Sequence, residues 1–137
     1  MKTIALTLLL AGTISASAMS RLDALWMLET GGDDHVVGKA GEISRYQVRT
    51  TVWHAVTDSR AYTSPEIARH VVAEVMDQRV QRFDRLKGRQ PTDFEYYALW
   101  NAPNQAFRGH ITHTVAERCR RFSNLCRQPL NSGAVRR

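Results

Sequence analysis

Glu29 is the residue whose place in the sequence points most directly to chemistry. Leu22, Leu25 and Trp26 precede it at the spacing of one helix face. A carboxyl group on such an apolar stripe has a raised pKa, because burial penalises its charged form. A glutamate whose pKa is raised to about 6 can donate a proton near neutral pH. The spacing thus makes Glu29 a candidate general acid.

The same spacing permits a second interpretation of Glu29. The residue stands at the end of its helix, just before Gly31-Gly32, so its carboxyl group could reach solvent at the glycine turn or bind an arginine. Helix periodicity alone favours this second interpretation over a buried acid. The choice depends on the elements that surround Glu29.

Those elements are mainly helices joined by polar turns. The first helix runs from about Met19 to Thr30, and a short one is predicted near residues 50–56. The longest begins at Thr63-Ser64-Pro65-Glu66, with Thr63 as its cap, and ends near Gly88.

Two further helices follow. Thr92 and Glu95 form a predicted capping box for a helix that contains Trp100 and halts around Pro103. A last helix begins at Thr114 with Glu117 and carries one apolar and one basic face. The apolar face comprises Val115, Cys119, Phe122 and Leu125, and the arginines expected in solvent are Arg118, Arg120, Arg121 and Arg127.

The segment between the first two helices, residues 31–48, is rich in Gly and Asp. Val36-Val37 and Tyr46-Gln47-Val48 could pair there as a small hairpin or remain a loop. No internal repeat or Pro/Gly-rich linker divides the chain after residue 18, which predicts a single domain over residues 19–137.

Residues 1–18 have the pattern of a secretory signal peptide. Lys2 precedes an apolar run from Ile4 to Ala11, and Ala16-Ser17-Ala18 provides small residues for cleavage after Ala18. The apolar run is well short of the roughly 20 residues that a membrane span requires. We therefore expect an exported protein, periplasmic or secreted, with no stable membrane insertion after cleavage.

The exported chain is basic. Removal of Lys2 leaves 18 basic side chains against 13 acidic ones. This balance favours a polyanionic partner, and export favours the carboxylate-bearing cell wall over nucleic acid. We expect a monomer that binds wall glycan and no nucleic acid.

Cys119 and Cys126 leave two states open. On an unbroken helix they lie about 10 Å apart, beyond the reach of a disulfide. A disulfide requires the helix to end between them, which Ser123-Asn124 could provide. The alternative is two buried free thiols.

Three separated segments resemble the soluble lytic transglycosylases and the related goose-type lysozymes. Leu28-Glu29-Thr30-Gly31-Gly32 is similar to the catalytic Glu-Ser-Gly-Gly segment of that superfamily. Residues 41–47, Gly-Glu-Ile-Ser-Arg-Tyr-Gln, align with its Gly-Ala-x-Gly-Leu-Met-Gln, and residues 98–103, Ala-Leu-Trp-Asn-Ala-Pro, align with its Ala-x-Tyr-Asn-x-Gly. The order and spacing agree over about residues 22–103.

The resemblance implies a lysozyme-like α+β domain, mainly helical, that cleaves the glycan strands of peptidoglycan. It implies that Glu29 protonates the glycosidic oxygen and that Gln47 helps to hold the saccharide. Trp100 replaces a Tyr that borders the cleft in the family, and Asn101 is structural or next to the substrate. Thr30 and Tyr46 are further candidate substrate contacts, although Tyr46 could instead be a core aromatic. No cofactor is implied.

Several positions depart from the family pattern and indicate a divergent branch. Gly38 stands where the family has a Ser; other departures are Thr30, Glu42, Ser44, Tyr46 and Trp100. A lytic transglycosylase needs one acid, whereas a hydrolase generally adds a second carboxylate. The candidates for that second carboxylate are Asp33, Asp34 and Glu42, although all three could simply be solvated.

Two rival functions remain beside glycan cleavage. One is a non-catalytic wall-binding module that keeps the fold, and the other is a basic secreted protein that acts on membranes through its Arg-rich last helix. A metal site is not expected, because His110 and His113, the one close pair of histidines, lack a convincing third ligand.

Overall fold

The computed structural model describes residues 18–129, so all of the predicted signal peptide except Ala18 lies outside the described residues. This part of the chain is mainly helical. The six helices are α1 (Arg21–Thr30), α2 (Thr50–His54), α3 (Pro65–Lys87), α4 (Asp93–Asn101), α5 (Pro103–Arg108) and α6 (His113–Arg127). No helix in this range has both the length and the apolar character needed to cross a bilayer.

Local capping signals set most of the helix ends. The Ser20 side chain caps α1, and Gly31 closes it in the left-handed conformation. The capping box of Thr92 and Glu95 forms as predicted, and Gly88 ends α3. Glycine suits both closures, because φ is +66° at Gly31 and +67° at Gly88.

The structure corrects several predicted boundaries. Ser64, rather than Thr63, caps α3 by accepting a hydrogen bond from the Ile67 N–H at 3.3 Å. α6 begins at His113, so Thr114 and Glu117 lie inside its first turns instead of capping it. α2 ends at His54 rather than Val56.

One helix was not predicted. Pro103 lies beyond the end of α4 at Asn101, as expected, but it also begins α5, because its fixed φ suits a first helical turn. The chain therefore turns at Ala102 between two short helices.

Of the two alternatives left open for the segment between α1 and α2, a small hairpin or a loop, the structure shows a loop. Its ladder is a single bridge in which Ile43 and Val48 exchange backbone hydrogen bonds of 2.8 and 2.7 Å. Val36 contributes only its carbonyl, to the Gln47 side chain, and Val37 is exposed. Ser44 and Gln47 both have positive φ, which breaks the alternation that a strand requires.

The core forms where α1, α4 and α6 pack together. The ring of Phe122 on α6 lies 5.3 Å from the ring of Tyr97 and 5.9 Å from that of Tyr96, both on α4. Leu25 of α1 and Leu99 of α4 are fully buried in the same cluster. This packing fixes α4 and α6 beside the last turn of α1, where Glu29 lies.

The two cysteines are free. α6 continues without a break through residues 123–124, so it keeps Cys119 and Cys126 apart. Both are buried, and burial raises the pKa of each thiol to about 11. The structure thus selects buried thiols over the disulfide alternative.

Candidate functional site

A cleft of about 660 Å³ opens beside the C-terminal end of α1. Glu29 forms part of its lining, together with Gln47 of the loop and Trp100 and Asn101 at the end of α4. These four residues, separated by up to 72 positions in the sequence, were predicted as site residues and lie around one cavity.

Glu29 is held by two side chains from different helices. The Tyr97 hydroxyl of α4 donates a hydrogen bond to Glu29 Oε1 at 2.8 Å. Arg118 Nη2 of α6 lies 3.2 Å from Oε2 and 3.4 Å from Oε1. Only 9% of the Glu29 side chain is exposed. The carboxyl group is therefore nearly buried, yet both of its oxygens have a donor.

The balance of these influences leaves the pKa of Glu29 above its ordinary value. Burial is the largest influence and raises the pKa, whereas Tyr97, Arg118 and Trp100 each lower it to a smaller extent. Burial and the nearby Glu29 carboxylate raise the pKa of Tyr97. Tyr97 therefore stays protonated and can donate to Glu29 throughout the physiological pH range.

Arg118 and Tyr97 were not predicted as site residues. The prediction placed Arg118 in solvent with its neighbours on α6. Its side chain is 41% exposed, but its guanidinium also contacts Glu29. For Tyr97 a signal was available, since it lies one helical turn before Trp100 and so shares its face. For Arg118 the sequence offered no such signal.

The loop between α1 and α2 forms one wall of the cleft. The Gln47 amide donates hydrogen bonds to the carbonyls of Val36 at 2.9 Å and Ser44 at 3.2 Å, which fixes its side chain despite a φ of +53°. A Cβ at Gly38 would collide with Glu42 Oε2 and lie 2.6 Å from Gln47 Oε1. Gly38 thus leaves room for both side chains.

The other wall is the break between α4 and α5. Arg79 of α3 donates hydrogen bonds to the carbonyls of Leu99 at 2.8 Å and Trp100 at 3.0 Å. Carbonyls in the last turn of a helix lack partners within that helix. Arg79 therefore secures the end of α4 that carries Trp100 and Asn101.

Two of the predicted substrate contacts do not line the cleft. The Tyr46 side chain is fully buried in the core, and its hydroxyl has no hydrogen-bond partner in the described structure. The Thr30 hydroxyl donates to backbone carbonyls of Trp26 and Arg45. Tyr46 is thus a core residue, and Thr30 joins the end of α1 to the loop.

The three candidate second carboxylates are placed differently. Glu42 lines the cleft, and its Oε2 accepts a hydrogen bond from the Ala40 N–H at 3.1 Å. Asp34 lies 2.7 Å from Arg45 Nε in an ion pair, and Asp33 accepts from the His35 N–H in a tight turn. Of the three, the structure brings only Glu42 to the same cavity as Glu29.

Within residues 18–129, no three His, Cys, Asp or Glu side chains cluster in a way that could hold a metal ion. Comparisons of the chain with protein-family models, with curated proteins and with solved structures found no match.

Proposed function

We propose that this protein is an exported enzyme of the lysozyme-like fold that cleaves the glycan strands of peptidoglycan, with Glu29 as general acid and base. The observation that carries the proposal is a nearly buried glutamate that faces a polar cleft and has a raised pKa. The similarity of residues 28–32, 41–47 and 98–103 to the transglycosylase motifs supports it, because parts of all three segments border this cleft.

The first chemical step is protonation of the leaving group. Protonated Glu29 transfers its proton to the glycosidic oxygen as the bond from that oxygen to the anomeric carbon breaks. Glu29 becomes a carboxylate in this step. The Tyr97 hydroxyl and the Arg118 guanidinium already contact its oxygens and stabilise the new charge.

The second step closes the reaction in one of two ways. In a lytic transglycosylase, the C6 hydroxyl of the same sugar attacks the anomeric carbon, and the Glu29 carboxylate accepts the hydroxyl proton. The product is a 1,6-anhydro sugar, and no water is consumed. In a hydrolase, a second carboxylate assists a water molecule, and Glu42 is the candidate that lines the cleft.

The cleft also provides groups that suit a sugar strand. The Trp100 indole offers an aromatic face for stacking, and the Gln47 amide nitrogen is already bound, which leaves its oxygen as an acceptor. Lys39 and Arg49 line the cleft without a carboxylate partner in the described part of the chain. Their charge suits a strand that carries carboxylates.

A second candidate function is a wall-binding module without activity. The contact between Arg118 and Glu29 supports this candidate, because a guanidinium favours the ionised carboxylate and opposes its use as an acid. Burial has the opposite effect on the pKa of Glu29 and is the larger of the two influences. We therefore favour the enzyme.

The test is incubation of the purified protein and its Glu29→Gln variant with peptidoglycan, followed by mass spectrometry of the soluble fragments. Fragments with 1,6-anhydro ends from the wild type alone are expected for a transglycosylase, and reducing ends for a hydrolase. If neither protein releases fragments across several pH values and wall types, the enzyme proposal fails. Equal retention of both proteins on the wall would then favour the binding module.

A further inference from the structure

α6 carries a second cavity, of about 380 Å³, which is lined by residues of this helix alone. We call it the arginine pocket; its lining comprises Thr114, Glu117, Arg118, Arg120 and Arg121. Arg120 and Arg121 are exposed and form no ion pair with any residue of the described range. Three guanidinium groups thus face one carboxylate, so the pocket is strongly cationic.

The single carboxylate does not neutralise the pocket. Glu117 is more than half exposed, and its partner is His113, whose Nδ1 lies 3.9 Å from Glu117 Oε1. Because this distance is long and both side chains are in water, the contact is weak. The pocket therefore retains the positive charge of its arginines.

Arg118 belongs to both cavities. Its Nη2 contacts Glu29 in the cleft, whereas its Nε and Nη1 donate no hydrogen bond to residues 18–129. The Arg118 side chain is 41% exposed, so its unused N–H groups are open to an anion from solvent. A guanidinium presents five N–H donors in a fork that fits a carboxylate.

We propose that the arginine pocket binds a carboxylate of the peptides that substitute the glycan strands, and that this carboxylate competes with Glu29 for Arg118. The inference rests on the proposed function, because the peptide is attached to the strand that the cleft would hold. It assigns the pocket a ligand class, a peptide carboxylate, and it assigns Arg118 a role in coupling the pocket to the acid.

The coupling follows from the groups that face Glu29. Tyr97 and Trp100 approach it from α4 and Arg118 from α6, while Glu42, Lys39, Arg49 and Arg79 lie around the same cleft. A peptide carboxylate that draws Arg118 away removes one of the contacts that favour ionised Glu29. Glu29 should therefore be protonated to a greater extent when a peptide-bearing strand is bound than when a bare strand is bound.

The binding test uses the Glu29→Gln background, in which strands are not cleaved. The affinity of the Glu29→Gln variant is measured for peptide-bearing strands and for the same strands after an amidase has removed the peptides. We expect the peptide-bearing strands to bind about tenfold more tightly, as a few exposed ion pairs would allow. Adding Arg120→Gln with Arg121→Gln should bring this ratio close to one.

Arg127→Gln is the matched control, since Arg127 is an exposed arginine of α6 outside the pocket. It should leave the ratio unchanged. An equal loss of affinity for bare and peptide-bearing strands in the double variant would overturn the assignment, and so would an equal effect of Arg127→Gln.

The coupling test uses the active protein and the pH dependence of cleavage. Activity falls at high pH as Glu29 loses its proton. This alkaline limb of the pH–activity profile should lie at higher pH for peptide-bearing strands than for bare ones. Arg118→Met should bring the two limbs together. Limbs that already coincide in the wild type would refute the coupling.

The failure of this inference can be told from the failure of the proposed function. If the wild type cleaves neither kind of strand but the binding ratio still depends on Arg120 and Arg121, the enzyme proposal is wrong and the pocket assignment stands. If the wild type cleaves both kinds and the ratio does not depend on these arginines, the pocket assignment is wrong and the enzyme proposal stands.

Discussion

Glu29 in the cleft and Glu95 at the start of α4 have the same types of partner but opposite pKa shifts. Glu95 accepts hydrogen bonds from Arg89 at 2.7 and 2.8 Å and from the Thr92 hydroxyl at 3.0 Å. These contacts lower the pKa of Glu95 to about 2, with Arg89 as the largest cause. Glu29 likewise has one arginine and one hydroxyl, yet its pKa is raised.

The two sites differ in solvent access, in the arginine geometry and in a backbone donor, since the Thr92 N–H donates to Glu95 at 2.9 Å and no backbone N–H of residues 18–129 donates to Glu29. The Glu95 side chain is 27% exposed and the Glu29 side chain 9%. Arg89 bonds both oxygens of Glu95 through two nitrogens, whereas Arg118 reaches Glu29 through Nη2 alone, at 3.2 and 3.4 Å. Deeper burial with a loose ion pair leaves the pKa of Glu29 raised, whereas greater exposure with a tight ion pair and a backbone donor lowers that of Glu95.

The largest expected difference between the two glutamates is in activity. Glu29→Gln should reduce the release of glycan fragments by about 10³-fold, because the amide of this variant cannot donate the proton that Glu29 is proposed to transfer to the leaving oxygen. Glu95→Gln should cleave at the wild-type rate. Fragment release measured for both variants checks this, and comparable losses would show that Glu29 has no special role.

Tyr97→Phe sharpens the comparison by removing one donor from Glu29. The carboxylate loses a hydrogen bond, so the pKa of Glu29 should rise further and the alkaline limb of cleavage should move to higher pH. The maximal rate should fall about tenfold, since the carboxylate formed during the reaction is less stabilised.

Tyr96→Phe is the control for this change, because Tyr96 is the neighbouring buried tyrosine and stacks on Phe122 without contacting Glu29. A pH profile measured for both variants separates the two tyrosines. A limb that shifts equally in Tyr96→Phe, or not at all in Tyr97→Phe, would contradict the assigned hydrogen bond.

Glu95→Gln should lower the free energy of unfolding at pH 7 by about 1 kcal/mol, through loss of the ion pair and half of the capping box. Because the pKa of Glu95 is lower in the folded state, its stabilisation is full above the pKa of the unfolded chain, about 4. It is lost as pH falls from there through about 2. Urea unfolding at both ends of this range checks the prediction.

The smallest expected effect has the opposite sign. Because the pKa of Glu29 is raised on folding, its ionisation opposes folding increasingly as pH rises from the unfolded pKa through the folded one. Glu29→Gln should therefore stabilise the protein at neutral pH by about 0.5 kcal/mol, or about 2 °C in Tm. Thermal unfolding at pH 7 and pH 4 should show the gain only at the higher pH.

Local signals in the sequence predicted the helices better than their connections. Thr92 with Glu95, and the glycines at 31 and 88, act within one turn, so the sequence around them is sufficient to place an end. Thr63 and Thr114 carried the same kind of signal, but Thr63 lies one position before the cap Ser64 and Thr114 lies two positions after the cap Thr112. The sequence left hairpin and loop both open for residues 31–48, because positive φ at Ser44 and Gln47 depends on contacts with the rest of the loop.

The residues of the cleft likewise include some that local sequence motifs predicted and some that they did not. Glu29, Gln47, Trp100 and Asn101 belong to motifs that are short in sequence, and the structure brings them together. Arg118 is far from every motif and joins the site only because α6 packs against α1 and α4. Tyr46 was misplaced for the converse reason, since a motif position gives no information on which side chains the core requires.

Arg79 holds the cleft wall through main-chain oxygens at positions 99 and 100, which every residue type presents. These two hydrogen bonds therefore do not depend on which side chain stands at position 100. The Trp100 ring adds a contact of its own, since the Arg79 guanidinium carbon lies 5.8 Å from the ring centroid. The main-chain attachment would remain if position 100, which lines the cleft, carried another residue. A library that varies residue 100 over a fixed Arg79 would be a direct route to altered glycan preference.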